Sequence, residues 1–391
     1  MKIKGKKRAS AIWCSQTSRR DFQPRLLLNA LEGDGDLLNW NTINPLIFIN
    51  ESFVMILTNY SLLPHNTFGF NIHCDYFFEY TTPQELKDFI ATGALTKQKY
   101  LHIGAGSNLV FMGDFRGTIL HSAIQGIEVL EQTPNEAVVR VGASQVWDDF
   151  VLWTLTHDFY GLENLSHIPG EVGAAAVQNI GAYGKEVAQY IKTIEAINLE
   201  TGAMHTFNVE ACDYAYRHSI FKTSLKGKYA ITHVCFALTR TFEPDIKYGA
   251  IHEALRQRNI VNPSALDLRQ CIIDIRDSKL PNPKDVGNAG SFFMNPVIDA
   301  QLLEQLQRTY PTMPHYAAEE GFKIPAGWLI EQCGWKGKSI GDAGVYAKQA
   351  LVLVNHGGAS GADIAHLAQT IVSDVYNKFG IRLTPEANFI D

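Results

Sequence analysis

Charge is scarce in this chain: only 19% of its 391 residues are Asp, Glu, Lys or Arg, and the net charge is −6. An excess of acid over base gives no footing for a nucleic-acid partner. Cysteine is sparse and scattered, at 14, 74, 212, 235, 271 and 333, with no CxxC or CxH spacing. That excludes a zinc site or a disulfide framework and fits a reducing, cytoplasmic setting; no metal is expected. Long apolar runs are missing too. The nearest, Pro45 to Tyr60, is broken by Asn50, Glu51 and Ser52, so no membrane span is expected. There is no GxSxG elbow and no GxGxxG fingerprint, since Leu109 stands where the last glycine would fall.

Basic residues concentrate at the start. Lys2, Lys4, Lys6, Lys7, Arg8, Arg19, Arg20 and Arg25 precede any folded-looking segment, and no apolar stretch directly follows as in a secretory signal. Residues 1–54 are therefore read as an extension, disordered or upstream of a true start at Met55.

What the chain does have is glycine in the right places. Gly161 to Gly184, GLENLSHIPGEVGAAAVQNIGAYG, holds five glycines, three consecutive alanines and almost no charge. It fits neither a regular amphipathic helix nor an alternating strand. Small residues let backbone approach another group closely, so this stretch is expected to press against something flat or anionic, with Gln178, Asn179 and Tyr183 as polar handles. Tight turns on a core are the plainer reading. A second glycine-rich turn, Gly104-Ala105-Gly106-Ser107-Asn108, follows a short apolar strand, Tyr100–Ile103. Such a turn offers several backbone N–H groups to an anion.

Elsewhere strands come in pairs separated by single helices, which points to α+β. Helices are expected from Pro83 with Thr82 and Glu85 as a capping box, over 147–157, 264–276, 326–333 and 360–379. Strands are expected at 74–80, 118–120, 126–132, 137–142, 191–199, 204–208, 229–238 and 350–355, with a domain boundary at Glu243-Pro244.

Three segments could carry chemistry. In YAYRHSIFK, Arg217 lies among aromatic and apolar residues and needs an anionic partner. GNAGSFFMNP places one hydroxyl, Ser291, before two phenylalanines; it is either a turn cap or a proton donor in a prepared network. Glu386 near the C-terminus is, taken alone, a solvated carboxylate.

Taken together, GAGSN, the IPG…QNIGAYG stretch, YRHSIFK, KLPNP, GNAGSFFMNP, KQALVLVN and the terminal PEANFI occur in an order and spacing that resembles the UDP-N-acetylenolpyruvoylglucosamine reductase family, over about residues 55 to 391. The resemblance implies a two-lobed FAD-binding domain of the vanillyl-alcohol-oxidase (PCMH) type over 55–242 and a C-terminal α+β substrate-binding domain over 243–391. It implies a monomeric flavoenzyme of peptidoglycan precursor synthesis, with NADPH as hydride donor and UDP-N-acetylglucosamine enolpyruvate as substrate. Non-covalent FAD would be held by Gly104, Ala105, Gly106, Ser107 and Asn108, and by Ile168, Pro169, Gly170, Gly173, Gln178, Asn179, Ile180, Gly181, Ala182 and Tyr183. Arg217, Ser291 and Glu386 match the catalytic groups, and Tyr248, Lys279, Asn295 and Gln349 match substrate contacts. The chain departs from its relatives at Met294, often lysine, and Ala176, often proline; neither removes a catalytic group.

Overall fold

The backbone of residues 47–49 and 52–391, with side chains from Met55 onward, is described by a computed structural model. Of the proposed 1–54 extension, the strand pair Ile47–Ile49 and Ser52–Val54 is described, and the remainder lies outside the described residues.

Two sheets build the N-terminal half. The first orders Ile56–Ser61, His73–Tyr80, Phe115–Ser122 and Tyr100–Ile103. Its last two pairings are parallel, which requires crossovers; the helix Pro83–Ala91 lies within one of them. Thr82 caps that helix by accepting from the Glu85 N–H, but the Glu85 carboxylate turns back to the Thr81 N–H instead of completing the box on Thr82. The second sheet is antiparallel, in the order Met204–Asn208, Ile191–Asn198, Tyr229–Thr239, Glu136–Gly142, Ile127–Gln132. The helix Trp147–Thr156 covers it, burying Trp147, Phe150 and Val151 against Val139, Val141 and Phe236.

After Phe242 come two helices, Gly249–Gln257 and Ala265–Lys279, which bury Ile251, Leu255, Leu268 and Ile272 between them. A four-stranded sheet follows, in the order Gly287–Ser291, Val352–Asn355, Ala343–Val345, Ser339–Ile340, with the long helix Gly361–Phe379 packed on it. Ser264 and Ser360 both start their helices with full capping boxes, to Asp267 and Asp363. The core of this half is continuous with the first sheet: Phe68, Phe77 and Ile119 belong to one buried cluster with Phe292, Leu329, Leu353 and Ile371. One chain-end contact then closes the fold. Asn388–Ile390 adds in parallel to Leu109–Phe111, immediately after the 104–108 turn.

The glycine-rich stretch differs from expectation at its centre, where Val172–Gln178 forms a two-turn helix. Its small side chains have a packing cause. A Cβ on Gly173 would come 2.9 Å from the Ala143 Cβ, so the helix lies closer to the sheet than larger residues allow. The remainder of the stretch holds a 3-10 turn at Glu163–Leu165 and a short strand at Gly181–Ala182, with positive φ at Gly161, His167, Gly170, Asn179, Tyr183 and Gly184. Expected strands and helices elsewhere are present with ends moved by up to about three residues.

Candidate active site

A cavity of about 730 Å³ runs between the 104–108 turn, the 167–181 stretch and the Gly287–Ser291 strand. Strand and turn geometry fix its floor. Tyr100–Ile103 ends at Gly104, and Gly106 turns the chain with φ +69° directly over the 62–66 loop. Any Cβ on Gly106 would fall 1.9 Å from the His65 carbonyl oxygen, so glycine is obligatory there.

Of the residues expected to hold a cofactor, Gly104, Ala105, Gly106, Ser107, Asn108, Ile168, Pro169, Gly173, Gln178, Ile180 and Gly181 line this cavity. Gly170, Asn179, Ala182 and Tyr183 do not. Asn179 is fully buried in a local role: its side chain donates to Glu186 and to the Ala215 carbonyl and accepts from the Ala188 N–H. Tyr183 instead meets Tyr248 edge-on, with centroids 5.2 Å apart, beside the half-buried Arg276. Gln178 Oε1 is buried with no hydrogen-bond partner among the described residues. An orphaned acceptor facing a cavity suits a ligand that brings a donor.

The three candidate catalytic residues all line this cavity. Arg217 Nε lies 2.7 Å from Glu386 Oε1, with 17% and 15% of the two side chains exposed. The contact is an ion pair by distance, yet the Nε–H does not point along it and remains without a hydrogen-bond acceptor. The guanidinium is instead aimed by two carbonyls, Asn179 at 3.4 Å and Gly181 at 3.0 Å. Arg217 itself holds φ +55°, an uncommon conformation for a non-glycine residue and one found preferentially at functional positions. Lys222 donates to the Arg217 carbonyl at 2.8 Å. Burial raises the Glu386 carboxyl above the ordinary range, and Arg217 and Lys222 only partly reverse this. Burial likewise lowers the Lys222 ammonium, with Glu386 opposing.

Glu386 is thus no solvated terminal residue. Its N–H donates to the Phe292 carbonyl at 2.8 Å, and the Met294 N–H donates to Thr384 at 3.0 Å. The Asn108 amide donates to the Glu386 carbonyl at 3.2 Å. These bonds tie the C-terminal segment both to the 104–108 turn and to the strand ending at Ser291. Ser291 is exposed to the cavity, and its hydroxyl makes no hydrogen bond among the described residues.

None of the four expected substrate contacts lines the cavity. Tyr248 is half exposed at the start of Gly249–Gln257, and Lys279 is exposed at the end of Ala265–Lys279, just before cavity-lining Leu280 to Lys284. Asn295 accepts from the Ala326 N–H at 2.9 Å, and Gln349 Oε1 stands 3.1 Å from where a Cβ on Gly327 would sit. These two therefore flank the same helix start.

Sequence reasoning passed over several cavity residues. Glu171 and Arg276 are charged groups on its wall. The signal for Glu171 was a carboxylate set inside IPGEVGAAA, a run otherwise free of charge. Arg276 donates to the His167 carbonyl at 2.9 Å, and Arg269 forms a bidentate pair with Asp148 at 2.6 and 2.8 Å. Asp148 also accepts the His167 N–H. This network pins the Ala265–Lys279 helix to the cavity.

Residues 74–208 match an FAD binding domain, and residues 282–390 match the C-terminal domain of UDP-N-acetylenolpyruvoylglucosamine reductase. A UDP-N-acetylenolpyruvoylglucosamine reductase of Bacteroides fragilis is 51% identical over 332 residues, 85% of this chain and 99% of the relative. One from Porphyromonas gingivalis is 44% identical over 336 residues, 86% and 99% of the two chains. In fold, the chain is similar to the crystal structure of the Thermus caldophilus UDP-N-acetylenolpyruvylglucosamine reductase, with TM-score 0.60 at 21% identity, covering 86% of this chain and 99% of that one.

Proposed function

We propose, from the premise that this chain belongs to the UDP-N-acetylenolpyruvoylglucosamine reductase family, that Arg217, Glu386 and Ser291 act on an enolpyruvyl group beside FAD held by the two glycine-rich stretches. The enzyme is an FAD-dependent oxidoreductase, a UDP-N-acetylmuramate dehydrogenase. It reduces UDP-N-acetylglucosamine enolpyruvate to UDP-N-acetylmuramate in peptidoglycan synthesis. Its fold is α+β, a two-lobed FAD-binding domain of the vanillyl-alcohol-oxidase type joined to a C-terminal substrate-binding domain. We set their division at 55–242 and 243–391.

The cavity fits the cofactor. Its volume lies in the usual range for cofactor sites, its floor is a turn of backbone N–H groups, and Gln178 Oε1 is an orphaned acceptor on its wall. When bound, FAD reduced by NADPH would supply hydride for the enolpyruvyl C3. The protein must make an electron-rich enol ether accept it. That happens when charge flows into the substrate carboxylate, and a fixed cation there stabilises the change. Arg217 is that cation. Two backbone carbonyls hold its guanidinium, so little reorganisation accompanies charge development. Ser291 donates the proton to C2, and Glu386 balances the charge of Arg217. Tyr248, Lys279, Asn295 and Gln349 are assigned to the UDP-sugar.

The observation that carries this reading is that Arg217, Glu386 and Ser291 all line the cavity that contains the 104–108 turn, the first two 2.7 Å apart. Purified protein should be yellow and should consume NADPH stoichiometrically with UDP-N-acetylglucosamine enolpyruvate. Colourless protein unable to take up FAD would reject the site, and yellow protein inert toward that substrate would reject the chemistry. The scattered cysteines support a cytoplasmic location, and we take the enzyme to act as a monomer.

A further inference from the structure

Glu171 lines the same cavity as the three candidate catalytic residues. Its backbone is strapped on both sides: the Trp147 N–H donates to Gly170 at 3.0 Å, the Val172 N–H to Gln145 at 3.0 Å, and the Gly173 N–H to Ala143 at 2.8 Å. The side chain reaches the 104–108 turn. A Cβ on Gly104 would come only 2.6 Å from Glu171 Oε2, so this oxygen rests against the Gly104 backbone. Burial pushes the carboxyl up to about 7, and only the Ala105 N–H pulls the other way.

This turn offers backbone N–H groups to an anion, which suits it to the diphosphate of FAD, and the inference rests on the cofactor reading proposed above. An ionised carboxylate at the same few backbone atoms repels a diphosphate and competes for the same N–H groups; a protonated one does neither. We propose that Glu171 is a cofactor-facing residue that must carry a proton while the diphosphate occupies the 104–108 turn, so the enzyme takes up a proton with FAD and holds FAD less tightly as this carboxyl ionises.

Other titratable groups lie near Glu171 or on the same cavity, where Arg276, Asp277 and Lys284 also stand. Tyr80, on the strand His73–Tyr80, is fully buried and kept neutral by burial. Its hydroxyl bonds His102 at 2.7 Å, and burial lowers that imidazole to about 4, so it too is neutral near pH 7. The helix Val172–Gln178 and the turn itself carry no titratable side chain. Asp148, on Trp147–Thr156, is paired with Arg269. His167 lines the cavity between Asp148 and Asp277, and a variant at Glu171 separates its contribution.

Holoenzyme diluted to equilibrium between about pH 6 and about pH 8.5, with released flavin read by its recovered fluorescence, gives the FAD Kd. For the wild type, Kd should rise roughly tenfold per pH unit above the range of this carboxyl, the slope of one linked proton. For Glu171→Gln it should be flat across the same range. A flat wild-type profile, or a Glu171→Gln profile that keeps the slope, overturns the inference. A second measurement needs no variant: calorimetric titration of the deflavinated full-length chain with FAD at about pH 7.5, in buffers of differing ionisation enthalpy, should show uptake approaching one proton. Zero uptake overturns it. Failure to bind FAD at any pH would overturn the cofactor assignment and this inference together, whereas pH-independent binding overturns this inference alone.

Discussion

Arg217 and Glu386 stand 2.7 Å apart although one lies in the FAD-binding half and the other five residues from the C-terminus. Glu386 costs free energy to ionise even with this partner, because burial outweighs the attraction. Its folded-state pKa is raised above its unfolded one, so the folded state binds more protons between the two values. Stability therefore falls as pH rises through that window. Glu386→Gln should melt higher than the wild type at about pH 7.5, and the gain should vanish at about pH 4. Its activity should fall by about 10²-fold or more, since Arg217 loses its counter-charge. Arg217→Lys should lose a similar factor, because a single ammonium cannot donate to the Asn179 and Gly181 carbonyls with the geometry of the planar fork. Melting curves at two pH values and steady-state rates check both.

Ser291→Ala is expected to leave flavin reduction by NADPH within about twofold of the wild type while slowing reoxidation by the enolpyruvyl substrate roughly 10²–10⁴-fold, the usual range for a lost proton donor. Stopped-flow absorbance separates the two half-reactions. Equal slowing of both would exclude the proton-donor role.

The Asp148–Arg269 pair tests how the Ala265–Lys279 helix is held. Burial alone would raise the Asp148 carboxyl, but Arg269 and the His167 N–H more than compensate and leave it depressed. A depressed folded-state pKa gives stability that is present above the unfolded value and is lost as pH falls through the folded one. Asp148→Asn leaves Arg269 buried and uncompensated, a loss of about 3–5 kcal/mol at neutral pH. Melting temperatures should show a large gap between variant and wild type at about pH 7 and a much smaller one near pH 3.

Removal of residues 387–391 deletes the strand Asn388–Ile390 that pairs with Leu109–Phe111. Glu386 then loses the anchor that fixes its backbone beside Phe292. FAD content, read as the ratio of flavin to protein absorbance, should be retained, while turnover falls by about 10²-fold. Loss of flavin together with activity would show that the strand supports the cofactor turn itself.

Much of this protein was legible in its sequence. The helix starts at Pro83, Ala265 and Gly361 follow from side-chain caps that act within four residues. The 104–108 turn follows from glycine's access to positive φ, and the motifs in order named the family. These are local properties, or patterns of residue type, and sequence carries both directly. Tertiary structure decided the remainder. Glu386 looked solvated until the parallel strand at the chain end buried it. Arg217 needed an anion that no neighbouring residue supplied. Asn179 looked like a cofactor handle, yet its side chain is consumed by Glu186, Ala188 and Ala215. Glu171 was an isolated carboxylate until folding laid it against Gly104. Burial and electrostatics depend on what long-range packing brings near a group, and no spacing along the chain encodes that.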